Sequence, residues 1–290
     1  NFTLIVRSDL GDTRVPVSMT VEKRGGEDAE IISCHDDLVF TLTSCTISGT
    51  TATLDMTVKN VGTSDVSLYL YGGNDSYAYD DQGNKFHNSD LQVAFSGKSY
   101  TTGISSTTIP AGVISKLSFK LYNVAENSAI FSNISIYTNK DAMLVLKNIH
   151  IEGRTVSSLP SVKTTGSVTT CDEEFEFELL DCKAGSNYTT LSFRVKNIGT
   201  SSKKLYLYGG NDSYAYDDQG NKYHKSNLQI GFWGEYYTVG ISSTTIPAGI
   251  MTCGEIRFAN VDANATEFSN ITLKTNQESE LIFKNVKIRK

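Results

Sequence analysis

Four histidines, one tryptophan and no close pair of cysteines leave this 290-residue chain little with which to do metal or nucleophilic chemistry. The G-x-S-x-G elbow, H-E-x-x-H, the Walker loop and the dinucleotide fingerprint are all missing, so the common hydrolase, zinc-protease and nucleotide sites have no basis here. Only His87 and His224 share a repeat position, in "KFHNSD" and "KYHKSN", and a lone His beside a hairpin is more often a turn residue than a catalyst. The sequence alone does not bring the scattered carboxylates together as a glycosidase pair, whose spacing is a matter of three-dimensional geometry. A chain that is not an enzyme and uses no cofactor is expected.

Long apolar runs are missing too: none approaches the ~18–20 residues of a membrane helix, so no transmembrane segment is expected. Basic residues come at most in pairs, such as Lys23-Arg24 and Lys203-Lys204, and the net charge is −6. Nucleic acid and anionic lipid both call for a basic patch, so neither is an expected partner. The chain opens at Asn1 with neither an initiator Met nor a signal-peptide pattern, as a processed product or an excised piece would.

What is present is a duplication. "LYLYGGNDSYAYDDQGNK" stands unchanged at Leu68–Lys85 and at Leu205–Lys222, an offset of 137 residues. The same offset relates Cys34 to Cys171, Cys45 to Cys182 and Pro110 to Pro247. This gives repeats at 34–152 and 171–290, joined by a Gly/Pro/Ser/Thr-rich linker at 153–170. Residues 1–33 carry "FTLIVR", an echo of the late-repeat "AMLVLK" and "SELIFK", and read as an extra strand or the tail of an earlier unit.

Apolar residues recur with period two, as in Leu38/Phe40/Leu42, Leu54/Met56/Val58 and Phe175/Phe177/Leu179. Turn residues punctuate them in "KNVGTS", "YGGND", "DDQGNK" and "IPAG". Short alternating runs between turns are the pattern of half-buried antiparallel strands. The predicted fold is all-β, two tandem β-sandwiches of roughly seven to nine strands each, with no helix of ten residues or more.

The five cysteines fall as two matched pairs and a single Cys253. Disulfides Cys34–Cys45 and Cys171–Cys182 are the expectation for an exported protein, with free or cross-repeat thiols as the alternative. Eleven extended residues would hold the partners about 36 Å apart, whereas a bridge needs Cα atoms within roughly 7 Å. Pairing therefore requires flanks that curl back around a short strand. Cys253 aligns with Lys116 and reads as a buried or incidental thiol.

Two clusters are candidate sites. Asp75, Asp80 and Asp81, with Asp212, Asp217 and Asp218 in the second copy, offer oxygen ligands suited to calcium. However, "DDQGN" lacks calcium-loop spacing and reads first as a hairpin turn with Gly83 left-handed. Tyr69 and Tyr71, Tyr77 and Tyr79, and their copies Tyr206, Tyr208, Tyr214 and Tyr216 pair up on strand faces. Such pairs make a stacking platform for a sugar or a protein, or else an outer face packed under a loop. Trp233 and Tyr236 stand where the first repeat has Ser96 and Ser99. That exchange does not suit a core position, so these two belong at an exposed site, a domain contact or a surface unique to the second repeat. The seven N-x-[ST] sequons matter only in a eukaryotic secretory host.

Between Leu68–Gly112 and Leu205–Gly249, 36 of 45 positions are identical, against 12 of 34 upstream and 13 of 39 downstream. Fold maintenance predicts retained apolar character rather than identical letters at exposed turns, so a shared binding task or recombination must hold the central block. The "TVKNVG" and "RVKNIG" strand ends, the "YDDQGNK" hairpin, "TIPAG" and the closing "LVLKNIHI" strand resemble the immunoglobulin-like domains of secreted and lipoprotein-anchored bacterial proteins. The resemblance implies tandem immunoglobulin-like sandwiches, an extracytoplasmic location and no catalytic residues. The function expected is binding or adhesion, through two matching surfaces, to a cell-surface protein or carbohydrate; the alternative is a structural spacer of the cell envelope.

Overall fold

The computed structural model describes residues 2–8, 11–17, 28–140, 142–156, 163–233 and 235–290. It opens with a hairpin of β1 (Phe2–Ser8) and β2 (Gly11–Val17). The first unit then runs β3 (Glu30–Ile32), β4 (Leu38–Ser48), β5 (Thr51–Asn60), β6 (Val66–Tyr71), β7 (Gly73–Asp80), β8 (Lys85–Asn88), β9 (Leu91–Phe95), β10 (Ile104–Ile109), β11 (Ile114–Leu121), β12 (Ile130–Ile136) and β13 (Leu144–His150). The second repeats it as β14 (Ser167–Thr169), β15 (Phe175–Ala184), β16 (Tyr188–Asn197), β17 (Lys203–Tyr208), β18 (Tyr214–Asp217), β19 (Lys222–Tyr223), β20 (Leu228–Phe232), β21 (Ile241–Ile246), β22 (Met251–Ala259), β23 (Glu267–Leu273) and β24 (Leu281–Lys287). Among the described residues the one helical element is a 3₁₀ turn, Lys225–Asn227, and no helix is long and apolar enough to cross a membrane.

Both units pair their strands the same way. One sheet is β4-β5-β11-β9, or β15-β16-β22-β20; the other is β3-β13-β12-β7-β8, or β14-β24-β23-β18-β19; β6-β10 and β17-β21 form ribbons. The inward residues of both sheets of a unit meet in one apolar cluster, so each unit is an antiparallel sandwich with its own core. The strand count per unit exceeds the sequence expectation because short edge strands carry too little periodicity to register. One of them, β14, lies in the stretch read as linker and pairs with β24.

Particular residues explain the repeated motifs. In "VKNVG" and "VKNIG" the buried Asn60 and Asn197 amides each donate to two carbonyls, Ser64 and Ile109 or Ser201 and Ile246, all at 2.8 Å. Their side-chain oxygens accept the Gly62 and Gly199 N–H groups at 3.0 Å. The cores have diverged by exchanging volume: where the first unit pairs Met56 with Leu117, the second pairs Phe193 with Gly254. A Cβ on Gly254 would stand 2.5 Å from the Phe193 ring, so the glycine is what admits the larger side chain.

The expected disulfides are not formed: Cys34, Cys45, Cys171, Cys182 and Cys253 are all free and buried. The needed curl is absent because β4 stays extended from Leu38 past Cys45, a span of about 23 Å at ~3.3 Å per residue, and β15 does the same before Cys182. A bulge between Leu42 and Ser44, and another between Leu179 and Asp181, shifts the phase of the strand. The second cysteine of each pair thereby turns into the core. Burial pushes the Cys45 and Cys182 thiols up to about 12.

Candidate functional site

The duplicated segment builds the same local structure twice. Asp80 Oδ1 accepts the N–H groups of Gln82 (3.0 Å) and Asn84 (2.8 Å), while Oδ2 accepts from Asn84 Nδ2 (2.7 Å). Asp217 does likewise with Gln219 (2.9 Å), Asn221 (2.8 Å) and Asn221 Nδ2 (2.9 Å). Gly83 and Gly220 take the left-handed conformation the turn needs, at φ 86° and 83°. Asp81 accepts the Ala129 N–H and Asp218 that of Thr266, while Asp75 and Asp212 are exposed, Asp212 beside Lys274. Four of the six carboxylates read as calcium candidates, Asp80, Asp81, Asp217 and Asp218, thus serve as turn and loop acceptors. Among the described residues no three His, Cys, Asp or Glu side chains group as metal ligands.

What differs is the environment of the two copies. Tyr77 and Tyr79 alternate with the core residue Ala78, so both project outward from β7, edge to face at 5.9 Å. Outward here means into the second unit: Tyr79 is 0% exposed and belongs to that unit's apolar cluster, with Tyr77 packed against it. The Tyr79 hydroxyl donates to the Thr245 carbonyl at 2.8 Å and shares a hydrogen bond with Thr244 Oγ1 at 3.1 Å. The turn behind it docks as well. The Gly83 carbonyl accepts from the Cys253 N–H (3.3 Å) and Thr252 Oγ1 (3.2 Å), and the Cys253 thiol donates to the Gln82 carbonyl (3.3 Å). Lys85 pairs with Glu235 at 3.0 Å, and His87 lies 3.5 Å from the same carboxylate.

In the second unit the same side chains face outward without that cover. Tyr214 and Tyr216 keep the edge-to-face contact at 5.8 Å but are half-buried, and Lys222 Nζ lies 5.1 and 5.7 Å from their ring centroids. A Cβ on Gly83 would meet Cys253 Sγ at 3.0 Å, whereas one on Gly220 would meet nothing within 4 Å. The carboxylates register the difference. Asp80 and Asp217 are 1% and 3% exposed, yet Asp80 lies beneath a whole second unit and burial lifts it above the ordinary 3.8. At Asp217 burial also opposes ionisation, but hydrogen bonds from Asn221 and Tyr223 outweigh it and hold the group below that value.

Trp233 is half-buried at this junction, lining a cavity of about 260 Å³ with Gln82, Asn84, Ala125, Leu180, Arg194 and Cys253. Tyr236, by contrast, is exposed. A second cleft of about 330 Å³ between the units is charged, with Asp81 and Glu176 near the buried Arg194, which donates to Glu178. Tyr69 is exposed, and Tyr71 meets Tyr137 edge to face at 5.1 Å. Their copies Tyr206 and Tyr208 are half-buried with Lys204 and Lys274 against the rings. They lie on the ribbons, so the eight tyrosines do not form one platform per unit. Sequence reasoning missed Thr244, Thr252, Arg194 and Glu235 as contacts. The available signal was that Ser96/Trp233, Lys98/Glu235, Thr57/Arg194 and Lys116/Cys253 differ at one surface while the segment they meet does not.

No protein-family model matches this chain, and neither does any curated protein. Among solved structures, the secreted serine protease VesC from Vibrio cholerae aligns at 10% identity and TM-score 0.23, over 87% of this chain and 52% of that one. A Bacteroides uniformis β-glucuronidase 2 aligns at 11% and 0.20, over 81% of this chain and 26% of that one. The chain spans about half and a quarter of their lengths, and likenesses this slight assign no activity.

Proposed function

We propose that this chain is a non-enzymatic binding module of adhesion type, acting outside the cytoplasm, whose ligand is a protein surface. Its contact surface is the second copy of the block, centred on Tyr214, Tyr216 and Lys222. One observation carries this: the same eighteen residues, in the same local conformation, already hold a protein surface through Tyr79, Gly83 and Lys85 of the first unit. Amphipathic tyrosines with a lysine beside them suit such a contact, since the ring buries apolar area while the hydroxyl keeps a polar partner. The two-surface expectation becomes one free surface and one used internally. The extracytoplasmic placement rests on the sequence resemblance.

The internal contact also favours a second reading, a rigid two-unit spacer. Beads coated with the intact chain separate the two. They are mixed with bare beads, beads coated with other proteins and beads carrying the same chain, then compared with the Tyr214→Ala/Tyr216→Ala variant. A binding module clusters with at least one coated partner and loses this on substitution. A spacer shows no clustering that the substitution changes, and that result would overturn the proposal.

A further inference from the structure

We infer that copies of this chain associate head to tail, the Tyr214/Tyr216 face of one copy seating on the outer β4-β5-β11 face of the next copy's first unit. This rests on the binding reading above and names the partner of that surface. The contact continues the one inside the chain: what unit one does to unit two, unit two does to the unit one that follows.

The docking side is identical through Lys222, including Tyr216, Gln219 and Gly220. On the receiving side, the threonines that satisfy the Tyr79 hydroxyl recur as Thr107 and Thr108, the latter exposed. The surface beside them is apolar and uncovered. Val39 and Ile114 flank Lys59 across the sheet and are 49% and 60% exposed, with Val113 at 44%. In the second unit, the positions matching Val113, Ile114 and Val39 are Ile250, which is 8% exposed, the half-buried Met251 and the exposed Glu176, and all three line the cleft against Asp80, Asp81 and Ser132 of the first unit. Three exposed aliphatic side chains together at the counterpart of a wall of the cleft between the units are what an unfilled interface presents.

Charge points the same way. Ala125 and Cys253 line one cavity of the internal contact. Displaced by 137 residues, the docking side carries Asp262 for Ala125 and the receiving side Lys116 for Cys253, both exposed. The two substitutions place an anion on one surface and a cation on the other at positions where the internal contact has an alanine and a cysteine, its own cation there being Arg194. Part of the internal contact is lost between copies: Lys98 replaces Glu235, so Lys222 has no carboxylate to meet and stays over its tyrosine rings. Without a linker to raise the effective concentration, the association is weaker than the internal one. A heterologous contact of this kind leaves one docking and one receiving face at the ends, so it extends as an open line unless the rotation happens to close a ring.

Sedimentation velocity of the intact chain, from micromolar to millimolar concentration, tests this. The expected result is a weight-average mass that climbs past dimer. Lys116→Asp and Asp262→Lys, both at exposed positions, the second also giving up the turn hydrogen bond that Asp262 accepts from the Asn264 N–H, should separately weaken association roughly three- to tenfold. Mixing the two variants should restore it, because each then offers the other an opposite charge; the double variant alone should recover as well. A wild-type chain that stays monomeric, a mass that stops at dimer, or reversals that do nothing or are not rescued by mixing would overturn the inference. If the chain stays monomeric while beads coated with another protein capture it through Tyr214 and Tyr216, the binding reading survives and this inference fails alone.

Discussion

Tyr79 and Tyr216 sit at the same place in the same eighteen-residue sequence, so substituting each in turn isolates what the unit contact contributes. Tyr79→Phe removes the hydroxyl that donates to Thr245 and bonds Thr244, leaving a carbonyl and a hydroxyl without a partner under a ring that is 0% exposed. The cost of stranding such groups is about 1–2 kcal/mol. Tyr79→Ala also opens a cavity in the apolar cluster it shares with the second unit, for about 3–5 kcal/mol. Tyr216→Phe removes a hydroxyl at a half-buried surface position and should stay within about 0.5 kcal/mol. Urea denaturation followed by fluorescence suits the measurement, because the chain's one tryptophan, Trp233, lines the junction. The Tyr79 variants should move the Trp233 transition to lower urea and lower Tm by about 2–4 °C per kcal/mol, and the Tyr216 variants should barely move it. Equal shifts at the two positions would refute the argument that the first copy is a docking surface and the second a free one.

Gly83→Ala and Gly220→Ala impose the same left-handed strain, about 1 kcal/mol each. Gly83→Ala should cost measurably more in thermal melts, because its Cβ meets Cys253 and Thr252. Side-chain carboxyl NMR titration should place Asp80 above 3.8 and Asp217 below it. Between 3.8 and its raised value, Asp80 holds a proton when folded that the unfolded chain has released, so its contribution favours folding at low pH and is lost as pH rises through that value. Asp217 contributes stability above 3.8 that disappears as pH falls through its lowered value. Both groups titrating on the same side of 3.8 would contradict the asymmetric cover. Native alkylation at pH 8 should leave all five thiols unmodified, since burial holds Cys253 near 12, and unfolding without reductant should expose all five. A mass two hydrogens lower per repeat would restore the disulfides.

Much of the fold was legible because period-two alternation and turn chemistry are local. "VKNVG" predicts a strand end, and Asn60 supplies the reason; "DDQGN" predicts a hairpin turn, and Asp80 with Gly83 builds it. The bulge before Cys45 was not legible, since one extra residue changes the phase of a strand without changing its composition. That is why the cysteines read as a pair. The docking surface was half legible. The Tyr, Gly and Asp types marked a contact, but nothing local tells Tyr79 from Tyr216, because their difference lies in a partner surface far away in sequence.

That difference bears on why the block is duplicated so closely. A recombination tract across Leu68–Gly112 and its copy would homogenise both sides of the contact without regard to use. Instead all nine differences lie beyond Lys85, and none falls in the segment that docks. Two of them, Ser96/Trp233 and Lys98/Glu235, are receiving-side residues, which in the second unit meet Gln82 and Lys85 of the first. The receiving face has thus been adapted in one unit while the docking face has been held in both. Holding the second docking face, with no surface of its own chain upon it among the described residues, is what a contact with another molecule would require. The inner contact alone would have let Tyr214, Tyr216 and Gly220 drift as freely as the strands on either side.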